Sequence, residues 1–309
     1  MGAAVEVRGL RKQYGRTVVV ADVSFRVEQG EIFGLLGPNG SGKTTTVECV
    51  QGLRRPTAGS VEVFGYDAVT EPMRVRRIVG SQLQDSALPD RLRVGEALQL
   101  FSTINPGGPP WQHLLEEWGL AERRKAAFGE LSGGQKQRLF VALALIADPK
   151  LVILDEMTTG LDPAARRIAW DLVAAVRDRG STVILVTHFM DEAERLCDRL
   201  AVLVDGRVIA GGTPADLVAA YQPVKQVHFT APPDTDLDFV GTVSGVAAVD
   251  RGPDGTVRVS GTGPLLARVA HALVAQGIEP DDLRPELPTL EDAYLALTAD
   301  HGAGSGSGG

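Results

Sequence analysis

Stretches of hydrophobic residues with two different spacings alternate along this chain, and the alternation predicts an α/β protein. Three stretches are apolar at almost every position, which is typical of parallel strands buried on both faces: 31–36, 151–154 and 182–187. Helical spacing lies between and around them, and predicts helices over 44–53, 136–147 and 163–179. Because polar residues stand at the carboxyl ends of the strands, the pattern predicts a doubly wound sheet with a ligand site at that edge.

Two other patterns complete the larger domain. Residues 3–8 and 17–28 alternate apolar and polar side chains, as strands with one apolar face do. From Val94 to about Pro149 the spacing is helical, interrupted by the Pro- and Gly-rich segment 106–110. These features predict two strands before the first buried strand and a helical insertion in an α/β domain.

The pattern changes after residue 220. Four short elements predict a compact α+β domain over 224–299: strands at 226–230 and 256–260, and helices at 265–276 and 289–297. Residues 300–309 have the Gly/Ser composition of a flexible linker. The larger domain is therefore expected to span 1–220.

One glycine-rich segment stands between the first buried strand and its helix. It reads Gly37-Pro-Asn-Gly-Ser-Gly-Lys-Thr44 and fits the phosphate-loop pattern G-x-x-x-x-G-K-[ST]. Its glycines let backbone N–H groups turn toward phosphate oxygens, and the helix start adds a favourable field for an anion. Lys43 can reach the β- and γ-phosphates, and the Thr44 hydroxyl can coordinate Mg²⁺. The segment predicts a nucleotide site.

The composition is that of a soluble globular protein and narrows the possible partners. Among 309 residues, 39 Asp and Glu outnumber 31 Lys and Arg, which argues against wrapping nucleic acid. The longest apolar run, 139–147, is only half of the roughly 20 residues that span a bilayer, and the N-terminus lacks signal-peptide features. Cys49 and Cys197 lie in apolar helical contexts, so we expect buried reduced thiols and a cytosolic setting.

Further polar motifs follow the phosphate loop. Asp155 and Glu156 end the second buried strand, where the first can hold Mg²⁺ and the second can polarise a water for attack on phosphate. Leu131-Ser-Gly-Gly-Gln135 opens a helix with another cluster of N–H groups suited to phosphate. Tyr14 could fill the core or stack on a base, and its spacing alone does not separate these roles.

With these motifs in this order, the chain closely resembles the ATP-binding-cassette ATPases over residues 4–220. The resemblance rests on the phosphate loop, Leu131–Gln135, Leu151–Glu156, Thr159-Gly-Leu-Asp-Pro163 and Thr187-His188. It implies a P-loop NTPase fold with a parallel sheet core, an antiparallel β subdomain and a helical subdomain. It also implies ATP and Mg²⁺ as cofactors. In this family the Leu-Ser-Gly-Gly-Gln signature closes on ATP held by a partner, so a head-to-tail homodimer is implied.

The resemblance also implies a role for each matching residue. Tyr14 would stack on adenine, and the phosphates would be held by Gly37, Pro38, Asn39, Gly40, Ser41, Gly42, Lys43, Thr44 and Thr45. Mg²⁺ would be held by Thr44, Gln84 and Asp155. Glu156 would be the general base, assisted by Lys43, Gln84 and His188. The signature acting in trans would comprise Leu131, Ser132, Gly133, Gly134 and Gln135, and Asp162 would couple the two sites.

Two positions qualify this assignment. Gln84 is preferred over Gln82 as the loop glutamine because Asp-Ser-Ala-Leu-Pro89 follows it, as in the family pattern. Met157 stands where the family usually has proline. Proline would fix the backbone without supplying a chemical group, so we expect altered loop stiffness and retained activity.

The second domain, which ends in Leu287-Pro-Thr-Leu-Glu-Asp-Ala-Tyr-Leu-Ala-Leu297, resembles that of the daunorubicin-resistance type of ATP-binding subunit. The resemblance implies an ATPase at the cytoplasmic face of the cell membrane. It would drive efflux of a drug, lipid or polyketide-like molecule through a separate ABC-2-type permease, with no nucleic acid involved. The domain itself is expected to serve stability or dimerisation in preference to sensing a small molecule.

Two alternatives belong to other functional classes. The first is a cassette ATPase that acts without a permease, on ribosomes or DNA; ribosome-acting members resemble two cassettes in one chain, and DNA-repair members carry a long coiled coil. This chain has one cassette and no heptad run. The second is a regulatory binder that does not hydrolyse ATP, but Glu156, Gln84 and His188 are all present.

Overall fold

The computed structural model describes residues 2–82, 87–220, 225–232, 234–286 and 288–304. Within it the chain divides into two compact units, Met1–Leu217 and Val218–Gly309. The division falls in a short helix and next to the change of pattern in the sequence. Each unit has its own hydrophobic core, one built on strands of the large sheet and one built on residues 227–273.

The first unit is built on a sheet of ten described strands. In chain order they are β1 (Ala3–Tyr14), β2 (Thr17–Glu28), β3 (Ile32–Leu36), β4 (Ala58–Val63), β5 (Tyr66–Asp67), β6 (Val79–Gln82), β7 (Leu151–Asp155), β8 (Thr182–Thr187), β9 (Arg199–Val204) and β10 (Arg207–Gly212). The helices of the same part of the chain are α1 (Lys43–Val50), α2 (Pro72–Ile78), α3 (Val94–Ile104), α4 (Trp111–Glu117), α5 (Gly133–Ala144), α6 (Pro163–Asp178), α7 (Met190–Leu196) and α8 (Pro214–Ala220).

The middle of this sheet is parallel and fully buried. The strand order is β5-β4-β1-β2-β10-β9-β3-β8-β7-β6, and β9, β3, β8, β7 and β6 run parallel to one another. Every residue of β3, β7 and β8 is buried, because helices cover both faces of a parallel sheet. The carboxyl ends of these three strands lead into the phosphate loop, Asp155-Glu156 and His188. Parallel pairing therefore gathers the polar motifs at one edge.

The flank of the sheet is antiparallel. β1 pairs with β2 and with β4, and β4 pairs with β5. The buried side chains of this flank join those of β3, β7 and β8 in one core, where the rings of Phe25 and Phe33 stack with centroids 5.2 Å apart. Helices α3, α4 and α5 occupy the region between β6 and β7, as the helical spacing after Val94 predicts.

The second unit is an antiparallel sheet with helices. Its elements are β11 (Lys225–Thr230), α9 (Asp238–Gly241), β12 (Val246–Arg251), β13 (Thr256–Gly261), α10 (Leu265–Ala275), β14 (Arg284–Glu286) and α11 (Leu290–Gly304). The strand order is β12-β13-β11-β14. Val227, Phe229, Val257 and Val259 alternate toward the core and pack against α10 through Val269 and its neighbours.

The fold class predicted from the sequence is confirmed, with differences in detail. The first strand, predicted over 3–8, extends to Tyr14. β12 was not predicted, because its Val-Ala-Ala-Val sequence lacks the β-branched alternation that marks strands. The tail expected from residue 300 is helical as far as Gly304, since α11, which begins after the Thr289–Asp292 cap, continues into it. The two cysteines are buried free thiols, as expected.

Gly34 in β3 offers a test of how tightly the central sheet is packed. A Cβ atom at this position would lie 2.7 Å from Cys197 Sγ and 3.3 Å from Leu200 Cβ. We expect Gly34→Ala to lower the free energy of unfolding by about 1–3 kcal/mol, because overpacking a close-packed core forces side chains off their preferred rotamers. Urea unfolding measures the loss. Adding Cys197→Ala should recover part of it, and a double variant no more stable than Gly34→Ala would show that the sulfur is not the obstacle.

Candidate functional site

The phosphate loop turns tightly between β3 and α1 because its glycines allow it. Gly40 and Gly42 have φ values of 82° and 99°, in the region that favours glycine. At Gly42 a Cβ would meet the Val19 carbonyl oxygen at 2.8 Å. The Thr46 hydroxyl donates to the Gly42 carbonyl oxygen at 2.8 Å and ties the loop to the first turn of α1. The loop thus presents the start of a helix toward the carboxyl edge of the sheet.

Lys43 is folded back over the loop it belongs to. Its Nζ donates to the carbonyl oxygens of Gly37 (2.8 Å) and Pro38 (3.0 Å), and the residue is only 5% exposed. Burial lowers the pKa of Lys43, while Glu156 and Asp155 oppose that shift. An ammonium group held here is directed at the space above the loop, where phosphate oxygens would lie in a phosphate-loop site.

Asp155 has the environment of a metal ligand. Thr44 Oγ1 donates to Asp155 Oδ2 at 3.1 Å, whereas Asp155 Oδ1 is buried and has no hydrogen-bond partner among the described residues. Burial raises the pKa of Asp155 to about 6, against the Thr44 hydrogen bond that lowers it. A buried carboxylate with an uncompensated oxygen beside a hydroxyl is a donor set that suits Mg²⁺. Thr44 and Asp155 thus fit the magnesium role expected from the sequence.

Glu156 lies between Lys43 and His188. Its Oε1 is 4.0 Å from Lys43 Nζ and 3.4 Å from His188 Nδ1, and its side chain is 6% exposed. The backbone leaves β7 in the left-handed region at Glu156 (φ 49°), and the Glu156 N–H donates to the Val186 carbonyl oxygen at 2.9 Å. The carboxylate and the imidazole, which come from neighbouring strand ends, are therefore adjacent, as a general base and its orienting group would need to be.

The Leu131–Gln135 segment forms the exposed start of α5. Ser132 Oγ accepts from the Gln135 N–H (3.3 Å), and Gln135 Oε1 accepts from the Ser132 N–H (3.1 Å), a reciprocal capping box. Apart from its chain neighbours and the backbone of its own helix, no heavy atom of the described residues lies within 4 Å of where a Cβ of Gly134 would stand. In the part of the chain that the structure describes, no hydrogen bond or ion pair joins this segment to the phosphate loop.

Three further residues with roles predicted from the sequence are Asp162, Tyr14 and Gln84. Asp162 caps α6, with Oδ1 accepting from the N–H groups of Ala164 and Ala165 at 2.9 Å each. Tyr14 is 39% exposed, with Lys12 Nζ 4.9 Å from its ring centroid, so the core-filling role is wrong. Gln84 lies outside the described residues. Gln82, the alternative, is buried, and its Oε1 accepts from Gln137 Nε2 at 3.1 Å.

The sequence-based interpretation missed two buried polar residues near the site. Gln137 on α5 binds Gln82, and Glu192 on α7 is fully buried beside Trp170. A signal for Glu192 existed in the sequence. It shares a helix face with Leu196, four residues on, so an acidic residue stands where an apolar one is the rule. Met157, which replaces the usual proline, is 2% exposed and belongs to the core.

Comparison with known proteins agrees with this geometry. A family model described as ABC transporter matches residues 20–159. The doxorubicin resistance ATP-binding protein DrrA of Mycobacterium tuberculosis is 36% identical over an alignment 314 positions long, which covers 96% of this chain and 94% of that protein. The Nod factor export ATP-binding protein I of Burkholderia lata is 42% identical over 302 residues, covering 96% and 97%. The chain belongs to the ATP-binding-cassette family.

Solved structures of the family have the same fold. An ATP-binding subunit of an ABC transporter is 31% identical with a TM-score of 0.64, covering 71% of this chain and 93% of that one. An ATP-binding cassette in its ADP conformation is 25% identical with a TM-score of 0.63, covering 70% and 93%. This cassette is an ATPase of the family, and the resemblance inferred from its motifs is confirmed. Among the described residues no helix is long and apolar enough to span a membrane.

Asp155→Asn tests two expected consequences of burying this carboxylate, a loss of folding stability when it ionises and the binding of Mg²⁺. The folded-state pKa of about 6 exceeds the ordinary 3.8, so ionisation of Asp155 costs stability as pH rises from 3.8 to about 6. At pH 8 we therefore expect the ligand-free variant to melt at a higher temperature than the wild type, and at pH 3.5 to lose that advantage. Mg²⁺ with ADP should raise the melting temperature of the wild type at pH 8 and have little effect on the variant.

Asp171→Asn is the matched control, because Asp171 lies exposed on α6. It should change neither the ligand-free melting temperature nor the response to Mg²⁺ with ADP. If Asp155→Asn responds to Mg²⁺ as strongly as Asp171→Asn does, Asp155 is not a metal ligand.

Proposed function

We propose that this chain is the ATPase subunit of an exporter. Two copies, head to tail, would form two composite sites that hydrolyse ATP with Mg²⁺. The energy would drive efflux of a drug, lipid or polyketide-like molecule through a separate ABC-2-type permease at the cytoplasmic face of the cell membrane. The relatives that match almost the full chain are named for doxorubicin resistance and for Nod factor export, which supports an export role.

The observation that carries the composite site is the exposed start of α5. Ser132 and Gly133 are exposed, and the space around Gly134 is open among the described residues. A capped helix start with free N–H groups is suited to an anion such as a γ-phosphate. No polar contact of the described chain brings it to its own phosphate loop. A second copy, related by a two-fold axis, can place each signature over the other chain's loop.

Within each composite site the residues of this chain would divide the work. The loop 37–45 and Lys43 would bind the phosphates, and Tyr14 would stack on adenine. Thr44, Asp155 and Gln84 would hold Mg²⁺, which supplies charge neutralisation at the phosphate oxygens when bound. Glu156 would take the proton of the attacking water, and His188, 3.4 Å away, would orient that carboxylate and contact the γ-phosphate.

A cleft in the first unit is suited to a helix of the permease. It has a volume of about 740 Å³ and lies between the α2–β6 segment and the ends of α3 and α5. Apolar side chains project at its margin: Met73 and Ile104 are each 62% exposed. Arg76 and Arg77 line the same cleft. β6 forms one wall and ends at Gln82, two positions before Gln84 in the sequence.

Two inactive variants mixed together test the composite site. Lys43→Ala removes the phosphate-loop cation, and Gly134→Asp places a negative charge at the signature, where it also suits the first turn of α5. Each variant alone should lack ATPase activity. In a head-to-tail pair of one of each, both lesions fall in one site and the other is intact. A 1:1 mixture should therefore regain about one quarter of wild-type activity, given random pairing of two-fold dimers.

If each chain hydrolysed ATP alone, the mixture would stay as inactive as its components. Glu156→Gln provides a second measurement, since it should bind Mg-ATP without turnover and elute as a dimer. Adding Gly134→Asp to it should return the protein to the monomer position. A Glu156→Gln variant that remains monomeric at saturating Mg-ATP would contradict the composite-site model.

Charged substitutions in the cleft test the permease interface. Met73→Glu and Ile104→Glu should abolish co-purification of a polytopic membrane protein with the tagged chain, because an acidic side chain would be desolvated in an apolar contact. The ATPase activity of the isolated variants should be unchanged. Val274→Glu is the control, since Val274 is 58% exposed on α10 in the second unit. A wild-type chain that co-purifies with ribosomes instead would support the permease-free alternative.

A further inference from the structure

Glu192 is a fully buried acidic residue that the site described above does not use. It lies in the first turn of α7 and has no exposed surface. A carboxyl group removed from water is costly unless its neighbours compensate it. Its Oε2 is buried without a hydrogen-bond partner among the described residues. The residues next to the Glu192 carboxyl group therefore indicate which parts of the chain it holds in place.

Three neighbours of Glu192 come from three different segments. Trp170 on α6 donates its indole N–H to Glu192 Oε1 at 3.2 Å. Thr187, at the end of β8, and Thr158, in the loop after β7, are also buried, and their hydroxyls are near enough to lower the pKa of the carboxyl group, although Thr158 Oγ1 has no hydrogen-bond partner among the described residues. Burial raises the pKa of Glu192, and the hydroxyls and the indole oppose this shift. A neutral side chain of the same shape therefore suits this pocket.

These segments carry the residues assigned to chemistry. Thr158 is two residues after Glu156, and Thr187 directly precedes His188. Thr187 Oγ1 also accepts from the Phe189 N–H at 3.0 Å, which fixes the turn that carries the imidazole. Trp170 lies on the helix capped by Asp162. A shift of Glu192 would therefore move both sides of the Glu156–His188 contact, whose nearest atoms are 3.4 Å apart.

We propose that Glu192 is a positioning residue for ATP hydrolysis: its side chain accepts the Trp170 hydrogen bond and lies beside Thr158 and Thr187, and so sets the distance between the Glu156 carboxylate and the His188 imidazole. This inference rests on the proposed roles of Glu156 and His188. It assigns Glu192 no contact with ATP, so its loss should affect turnover much more than binding.

The neighbouring residue provides a matched control. Asp191 Oδ2 is 3.5 Å from Arg166 Nη1, and this pair also joins α7 to α6. The Asp191 side chain is 56% exposed, so the pair is screened by solvent. If any link between the two helices were sufficient, removing this one would have the same effect as removing Glu192.

The test compares Glu192→Ala, Glu192→Gln, Trp170→Phe and Asp191→Asn in the full chain. Glu192→Ala should lower kcat by about tenfold or more, because small misplacement of catalytic groups is costly, with KM and the Kd for a fluorescent ADP analogue nearly unchanged. Glu192→Gln should recover most of this loss, since its amide keeps an oxygen for Trp170 and offers N–H groups to the hydroxyls. Trp170→Phe should lower kcat in the same direction, and Asp191→Asn should not change it.

A double-variant cycle distinguishes positioning from general destabilisation. If Glu192 acts through His188, Glu192→Ala should cost much less in a His188→Ala background than in the wild type. Additive losses, or a fall in nucleotide affinity equal to the fall in kcat, would overturn the proposal. If Glu192→Ala does not fold, the kcat values of Trp170→Phe and Glu192→Gln test the positioning role in its place.

Glu156→Gln separates this inference from the function on which it rests. If Glu156→Gln keeps full turnover, the proposed catalytic assignment fails whatever Glu192 does. If Glu156→Gln is inactive while Glu192→Ala and Trp170→Phe turn over as the wild type does, only the positioning role is wrong.

Discussion

The properties of the site in this cassette depend on the burial of charged side chains at one edge of its parallel sheet. Lys43, Asp155 and the Glu156 side chain are all nearly excluded from solvent. Burial disfavours both kinds of charge, since it lowers the pKa of Lys43 and raises that of Asp155. Lys43 bonds to carbonyl oxygens of its own loop and remains 4.0 Å from Glu156. The site thus keeps charged groups that are suited to bind a phosphate chain and its cation. Burying them lowers folding stability and leaves the site preorganised for its ligand.

Strand order explains why these groups can be assembled from distant parts of the sequence. β3, β7 and β8 are neighbours in the sheet, so residues 43, 155 and 188 meet although they are far apart in the chain. The left-handed backbone at Glu156 turns the chain sharply out of β7. Such a conformation costs about 1–3 kcal/mol and persists where surrounding contacts fix it. Here the contacts are the Glu156 N–H to Val186 on β8 and the Thr159 N–H to the Glu156 carbonyl oxygen.

Sequence patterns predicted the parts of this structure that depend on local chemistry. The buried strands, the loop glycines and the helix start at Leu131–Gln135 each have a short-range signal, and their elements were placed within a few residues. Long-range packing had no such signal. The Gln82–Gln137 bond joins residues 55 positions apart, and the neighbours of Glu192 come from three segments. The low β-propensity of β12 concealed a strand that pairing with β13 stabilises.

The strand β6, which ends the strand order of the described sheet, packs closely against the signature helix α5. Gly80 lies so close to α5 that a Cβ would stand 2.0 Å from the Ala144 carbonyl oxygen, and the buried Gln82–Gln137 bond joins the same two elements. Because close-packed contacts of this kind are hardly compressible, a displacement of α5 is transmitted to β6. If two copies form the proposed composite sites, a movement of α5 that brings Ser132 onto a partner's nucleotide would also displace β6, whose residues Gly80 and Ser81 line the cleft. In the proposed dimer, α5 would in this way connect the phosphate that the partner holds with the cleft proposed for the permease.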